Sequence, residues 1–248
     1  MKESRIYDNS VDLDKIAIRD FFNKRAPKSI DENMNNSTML QDKKPEIATK
    51  RDLIEKQTIE PYFITDEQSK ILDIGCGIGR WAEIFKEKDM TLYQGIDISE
   101  KLIAVAAKVY NDNEKIQFYS KDPIEFFATN NSKFDIVILS GVLNYINDTE
   151  LQKIFTEIEK FTNKNALIYF RMPISVLDKR LTLKEFWSDE LEESYSSVYR
   201  TDKEYKESFE KYLKDYNIVL DKFLYKEETL NNRIETKQKV YILKKKEN

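Results

Sequence analysis

Ile71-Leu72-Asp73-Ile74-Gly75-Cys76-Gly77-Ile78-Gly79-Arg80-Trp81 reads as a buried strand, a glycine turn and the opening of a helix. Ile71, Leu72 and Ile74 form a short apolar run of the kind covered on both faces in a parallel sheet. The glycines at 75, 77 and 79 permit backbone angles that a Cβ would obstruct, so a ligand can approach the main chain closely. Trp81, Ile84 and Phe85 then recur at helical spacing. A strand, a tight turn and a helix in that order build a nucleotide-type site at the carboxyl edge of an open α/β sheet. A dinucleotide fingerprint asks for G-x-G-x-x-G or G-x-G-x-x-A. Here the sixth position is Arg80 and the third glycine comes one residue early. Asp73, ahead of the first glycine, is placed to receive an ammonium group, which a dinucleotide does not offer there.

Strands and helices alternate beyond the turn. Leu92 to Ile98 reads as the second strand, and Asp97 at its end falls about twenty residues after the first glycine, where a carboxylate accepts ribose hydroxyls. Leu102, Val105, Ala106 and Val109 mark a helix. A third strand, Lys115 to Tyr119, precedes Asp122 and Pro123, which suit the cap and first turn of another helix. Phe134 to Leu139 is nearly all apolar and therefore central, and it runs into Ser140-Gly141-Val142-Leu143-Asn144-Tyr145. Leu151, Ile154, Phe155 and Ile158 give a helical stripe capped by Asp148 or Thr149. Ala166 to Phe170 is the fifth strand. Thr201 with Glu204 forms a capping box for a helix through about Asp215. Ile218 to Tyr225 and Lys237 to Leu243 close the chain. The stretch between them, with Asn231 and Asn232, is too short for a crossover helix, so the two pair antiparallel. A dinucleotide-binding fold normally ends on a parallel strand, a second point against a nicotinamide cofactor.

Asp73-x-Gly75-x-Gly77-x-Gly79, the acidic strand ends and the terminal hairpin together resemble the class I S-adenosylmethionine-dependent methyltransferases of small-molecule type. The resemblance implies an α/β fold with a seven-stranded Rossmann-like sheet and S-adenosyl-L-methionine as cofactor. It places Asp73, Gly75, Cys76 and Gly77 around the methionine half and Asp97 at the ribose. Ile98 then lies on the adenine face, Asp122 and Pro123 at the adenine amino group, and Ser140 beside the methyl. The turn Gly141-Val142-Leu143-Asn144-Tyr145 resembles the Gly-Val-Leu-His-His turn of many such enzymes, with Asn144 and Tyr145 in place of the histidines. Tyr145, Asn144 and Tyr199 are accordingly the catalytic candidates, with Asp178 and Glu185 as further candidate bases. Nucleic-acid amino methyltransferases usually carry an Asn/Asp-Pro-Pro-aromatic turn, absent here, and the metal-dependent catechol type carries an acid where Ser140 stands, so no metal is expected. Asp20 to Ala26, Gly79-Arg80-Trp81 and Tyr199-Arg200-Thr201 resemble methyltransferases of bacterial surface-polysaccharide clusters, including phosphoramidate O-methyltransferases of capsules. That implies O-methylation of a small polar acceptor, and Arg171, Lys179 and Arg180 suit an anionic one. A silent cofactor-binding module and a nicotinamide-linked oxidoreductase are the alternatives.

The chain has 248 residues, 40% apolar, enough for one α/β domain with additions. A net charge of −4 offers no positive field for nucleic acid. There is no histidine, which removes the commonest general base and metal ligand together. The one cysteine, Cys76, fits a reducing compartment. Met1 to Ser10 has no apolar signal core, and Ile136 to Asn147 is too short to span a bilayer, so a cytoplasmic chain without membrane partners, monomeric or homodimeric, is expected. Residues 1–69 read as an N-terminal helical lid. It has one amphipathic helix ending near Lys24, a polar loop over Ser29 to Lys44, and a helix from Pro45 to Ile59 that carries Ile47, Leu53 and Ile54 towards one side. By the same resemblance, this leading segment lies over the cofactor, and Arg51 or Tyr7 meets the cofactor carboxylate or the acceptor. Residues 70–248 are the methyltransferase domain, with an insertion at 171–200 that shapes the acceptor pocket.

Overall fold

The structure is a computed structural model that describes residues 10–27, 38–40, 43–231 and 233–247, together with the main chain of 6–7. The side chain of Tyr7, most of the 29–44 loop and Asn232 lie outside the described residues. In chain order the elements are β1 (Ile6–Tyr7), α1 (Lys15–Arg25), α2 (Pro45–Ile59), β2 (Lys70–Ile74), α3 (Ala82–Phe85), β3 (Leu92–Asp97), α4 (Glu100–Val109), β4 (Ile116–Ser120), α5 (Pro123–Thr129), β5 (Phe134–Ser140), α6 (Asp148–Lys160), β6 (Thr162–Ser175), β7 (Leu181–Ser188), β8 (Glu193–Tyr199), α7 (Asp202–Tyr212), β9 (Tyr216–Phe223) and β10 (Thr236–Lys245). None of the described helices is long and apolar enough to cross a membrane.

Seven strands form one sheet in the order β4-β3-β2-β5-β6-β10-β9. The strands from β2 to β6 run parallel, and β10 lies antiparallel between β6 and β9. The chain leaves β2 towards one edge through β3 and β4, then returns to β5 on β2's other side. That reversal opens a crevice at the carboxyl ends of the central strands.

Both faces are covered, which is why the central strands are apolar without a break. Leu72, Ile74, Val137, Leu139 and Phe170 pack against α6 and α7 through Phe155 and Phe209. The alternate residues Ile71, Ile136, Ile138 and Tyr169 pack on the other side with Ile59, Trp81 and Phe85. Each such side chain, withdrawn from water, contributes about 1.5–3 kcal/mol.

Several boundaries differ from the sequence expectation. β6 runs from Thr162 to Ser175 because β5 and β10 pair with it over most of that length. The 171–200 segment is not a plain loop: β7 and β8 pair antiparallel, and β1 joins β7 through Ile6 opposite Leu183, making a second, three-stranded sheet. Helix α6 is capped by Asn147, not by Asp148 or Thr149. The Asn147 amide instead holds Leu13, accepting from its N–H at 2.8 Å and donating to its carbonyl at 3.0 Å. The capping box of α7 forms as expected, with Thr201 and Glu204 bonded reciprocally.

Helix α2 departs most from its pattern. Leu53 is 54% exposed, while Arg51, Asp52 and Glu55 are buried beside Ala48 and Ile59. Their partners are the Leu230 carbonyl for Arg51, Arg80 of the glycine turn and Lys56 of the same helix for Asp52, and Arg80 with side chains of the central strands for Glu55.

Candidate functional site

The glycine turn is tied to its neighbour strand: the N–H groups of Gly75 and Cys76 both donate to the carbonyl of Ile96, at 2.8 and 3.1 Å. Gly75 and Gly77 have φ of 72° and 56°, in the left-handed region, and a Cβ on Gly75 would lie 2.4 Å from Val142. Asp97, at the carboxyl end of β3, accepts from the Gly77 N–H at 3.0 Å and the Ser99 N–H at 2.8 Å. Burial raises the Asp97 carboxyl above its usual range, and the same backbone donors oppose that rise. The carboxylate is thus fixed at the lip of the turn.

One cleft is lined by Asp73, Gly75, Cys76, Gly77, Asp97, Ile98, Asp122, Pro123 and Ser140, with Tyr145 and Arg171 on its far side. Nine of the ten cofactor candidates from the sequence meet there. The tenth, Arg51, stands outside it: its Nε donates to the Leu230 carbonyl at 2.9 Å and its guanidinium lies over Tyr225.

Three local arrangements set the cleft's electrostatics. Asp73 accepts from the Tyr93 hydroxyl at 2.5 Å, and burial lifts its carboxyl to about 7 although that hydroxyl opposes the rise. Asp122 uses one oxygen to cap α5, accepting from the Ile124 N–H at 2.8 Å, and its other oxygen accepts from Lys15 of α1. Lys15 also bonds Glu150 at 2.9 Å, so the oxygen that the resemblance reserves for adenine faces an ammonium from α1.

The third arrangement is a buried ionic hub. Glu55 accepts from Arg80 Nη2 at 2.9 Å, Ser140 Oγ at 2.6 Å and Tyr169 Oη at 2.8 Å, with Arg171 Nε at 3.4 Å. Arg80 also bonds Asp52 at 2.6 Å. Burial alone would raise the Glu55 carboxyl; the charges of Arg171 and Arg80 overcome it and hold it at about 2. Sequence reasoning missed Glu55 and Asp52. The only signal was that 51, 52 and 55 share one helical face with Ala48 and Ile59, a face that reads as solvated by composition.

The catalytic candidates surround an adjoining cavity. Gly141, Tyr145 and Arg171 line both it and the main cleft, while Asn144, Tyr199 and Arg51 line only the second. Burial pushes the Tyr145 hydroxyl up to about 12 and Tyr199 well above its usual value, so both are neutral hydrogen-bonding groups near neutral pH. Arg200 fixes the turn that carries Asn144 and Tyr145, donating to the carbonyls of Leu143 at 2.9 Å and Ile146 at 2.7 Å. Asp178 and Glu185 are exposed and line neither cavity. Arg171, Lys179 and Arg180 form no cluster: Arg171 faces the cleft, whereas Arg180 bonds Asp148 at 2.8 Å and Glu204 at 2.7 Å.

Residues 71–165 match the family model described as a methyltransferase domain. Over 129 residues the chain is 29% identical to phosphoethanolamine N-methyltransferase of Plasmodium falciparum, covering 52% of this chain and 46% of that enzyme. Over 161 residues it is 27% identical to carboxy-S-adenosyl-L-methionine synthase 1 of Yersinia pseudotuberculosis, covering 61% and 67%. Among solved structures, Haemonchus contortus phosphoethanolamine N-methyltransferase 1, in complex with phosphoethanolamine and S-adenosylhomocysteine, superposes with a TM-score of 0.67 at 16% identity, over 95% of this chain and 50% of that one. At that identity the likeness is one of fold. The chain spans about half the length of the first of these relatives.

Proposed function

The chain carries a class I S-adenosylmethionine-dependent methyltransferase domain, and from that premise we propose that the whole protein transfers a methyl group to a small polar acceptor. The observation that carries the reading is the convergence of the glycine turn, the anchored Asp97 carboxylate and Asp122 on one cleft at the sheet's switch point. The residues fit the cofactor's parts. Asp73 is an acid for the ammonium, the Gly75–Gly77 backbone permits close approach, and Trp81 of the cleft wall has an indole Nε1 buried without a partner among the described residues.

When bound, the cofactor would supply a methyl group activated by its sulfonium for transfer to an acceptor lone pair. The protein's work is alignment and exclusion of water. Asp97 and Asp122 hold the adenosyl end, Tyr145 closes the far wall against Phe22 at 5.0 Å between ring centroids, and Asn144 and Tyr199 face the acceptor side. No histidine is available as a base, which suits an acceptor that needs only positioning or a pre-ionised group. O-methylation of a surface-polysaccharide precursor in the cytoplasm remains the finer proposal, supported by the sequence resemblance.

The test is incubation of purified protein with methyl-labelled cofactor and a small-molecule cell extract. Label appearing in a low-mass product, and lost with Gly75→Ala, supports the reading; absence of transfer from every extract contradicts it.

A further inference from the structure

Behind Tyr145, the second cavity collects two cations and an unsatisfied oxygen. Arg51 is only 4% exposed. Its Nε serves the Leu230 carbonyl, and among the described residues no carboxylate bonds its terminal nitrogens. Burial, with the positive charge of Arg171 adding to it, lowers the Arg51 guanidinium to about 10, against the opposing charge of Glu190. Arg171 gives Nε to Ser140 and Glu55, and Nη1 only a 3.3 Å contact with Gln238. Asn144 is 4% exposed; its Nδ2 donates to Ser197 Oγ at 3.0 Å. Ser197 in turn spends its proton on the Asn144 main-chain carbonyl at 3.4 Å, so Asn144 Oδ1 is left buried without a donor among the described residues. A buried carbonyl without a donor is costly unless a ligand supplies one. The cavity holds about 50 Å³, where one ordered water needs about 10–15 Å³. That is room for a small polar group.

We propose that this cavity is the acceptor subsite: Arg51 and Arg171 hold an anionic group, phosphate or carboxylate, while Asn144 Oδ1 accepts a hydrogen bond from the acceptor's reacting O–H or N–H. The proposal rests on the methyl-transfer reading for the meaning of "acceptor". Two converging guanidiniums match the fork geometry of phosphate and carboxylate oxygens. Gly141, Tyr145 and Arg171 are shared walls, so an anion seated here leaves the rest of the acceptor facing the cofactor cleft. Asn144 cannot take up the proton; it orients the group that loses it, and the proton leaves to water.

The same anion chemistry has a second source, the cofactor's own carboxylate, and calorimetry separates the two. Inorganic phosphate is titrated into protein saturated with S-adenosylhomocysteine, and S-adenosylhomocysteine is titrated separately. Arg51→Met and Asn144→Asp, which adds a repelling charge at the same volume, are each expected to weaken phosphate by about tenfold or more, with Arg51→Lys retaining most of the binding. S-adenosylhomocysteine affinity should stay within about twofold, which also reports that the variants are folded. Phosphate uptake absent, or unchanged by the variants, overturns the proposal. So does an Arg51→Met protein that loses S-adenosylhomocysteine instead, since the arginine then holds the cofactor. If wild-type protein takes up no S-adenosylhomocysteine, the methyl-transfer reading fails, and the phosphate titration on cofactor-free protein still decides whether the pocket binds anions.

Discussion

Asp73 and Glu55 are both fully buried carboxylates, and their neighbours drive them in opposite directions. Asp73 has one hydroxyl donor, from Tyr93, and burial lifts it to about 7. Glu55 has two guanidiniums and stays near 2. The signs follow from linkage. Asp73 binds its proton more tightly folded than unfolded, so its contribution to stability is present below about pH 4 and is lost as pH rises through 7. A cofactor ammonium needs the carboxylate form, so S-adenosylhomocysteine affinity should rise between pH 6 and 8, and Asp73→Asn should flatten that profile; calorimetry at three pH values checks it. Glu55 behaves inversely: its contribution is present above about 4.5 and lost as pH falls towards 2. Glu55→Gln leaves buried arginines short of charge, which costs about 3–5 kcal/mol. At about 2–4 °C per kcal/mol for a chain of this size, Tm should fall by about 10 °C, read by calorimetric melting. The place of Asp73 in the cleft was legible because it follows from the glycine turn two residues on. Glu55 was not, because its partners Arg80 and Arg171 lie 25 and 116 residues away and a charged helical residue ordinarily means solvent.

At the scale of elements, the strands and the glycine turn were readable because apolar runs and glycine spacing are local signals. The hairpin of β7 and β8 was not: its pairing with β1 joins Ile6 to Leu183, a contact no local pattern encodes. Helix α2 is tied to the glycine turn through Asp52 and Glu55, which both bond Arg80, partners that no local pattern in the 1–69 segment names. The turn at Leu143–Ile146 depends on Arg200, which is 2% exposed and forks between two carbonyls and Asp148. Lysine presents no fork. Arg200→Lys should therefore lower methyl transfer by about tenfold or more while leaving S-adenosylhomocysteine affinity nearly intact, as a positioning defect on the acceptor side predicts. Equal loss of both would contradict that role.

For the molecule as a whole, sheet order follows from two sequence facts, the site at the end of β2 and the closing hairpin. β2 and β5 lie at the centre, paired on both sides, and β4 and β9 are edges. Hydrogen exchange should accordingly be slowest in β2 and β5, opening only with global unfolding, and faster by about a hundredfold or more in β4 and β9. The central claim is that this crevice binds an adenosyl cofactor through the carboxylate locked to Gly77. Calorimetric titration of S-adenosylhomocysteine into wild-type protein and Asp97→Ala tests it most directly. The account predicts saturable binding to wild type, weakened by about tenfold or more in the variant. No binding to the wild type, or equal affinity in both, would contradict it.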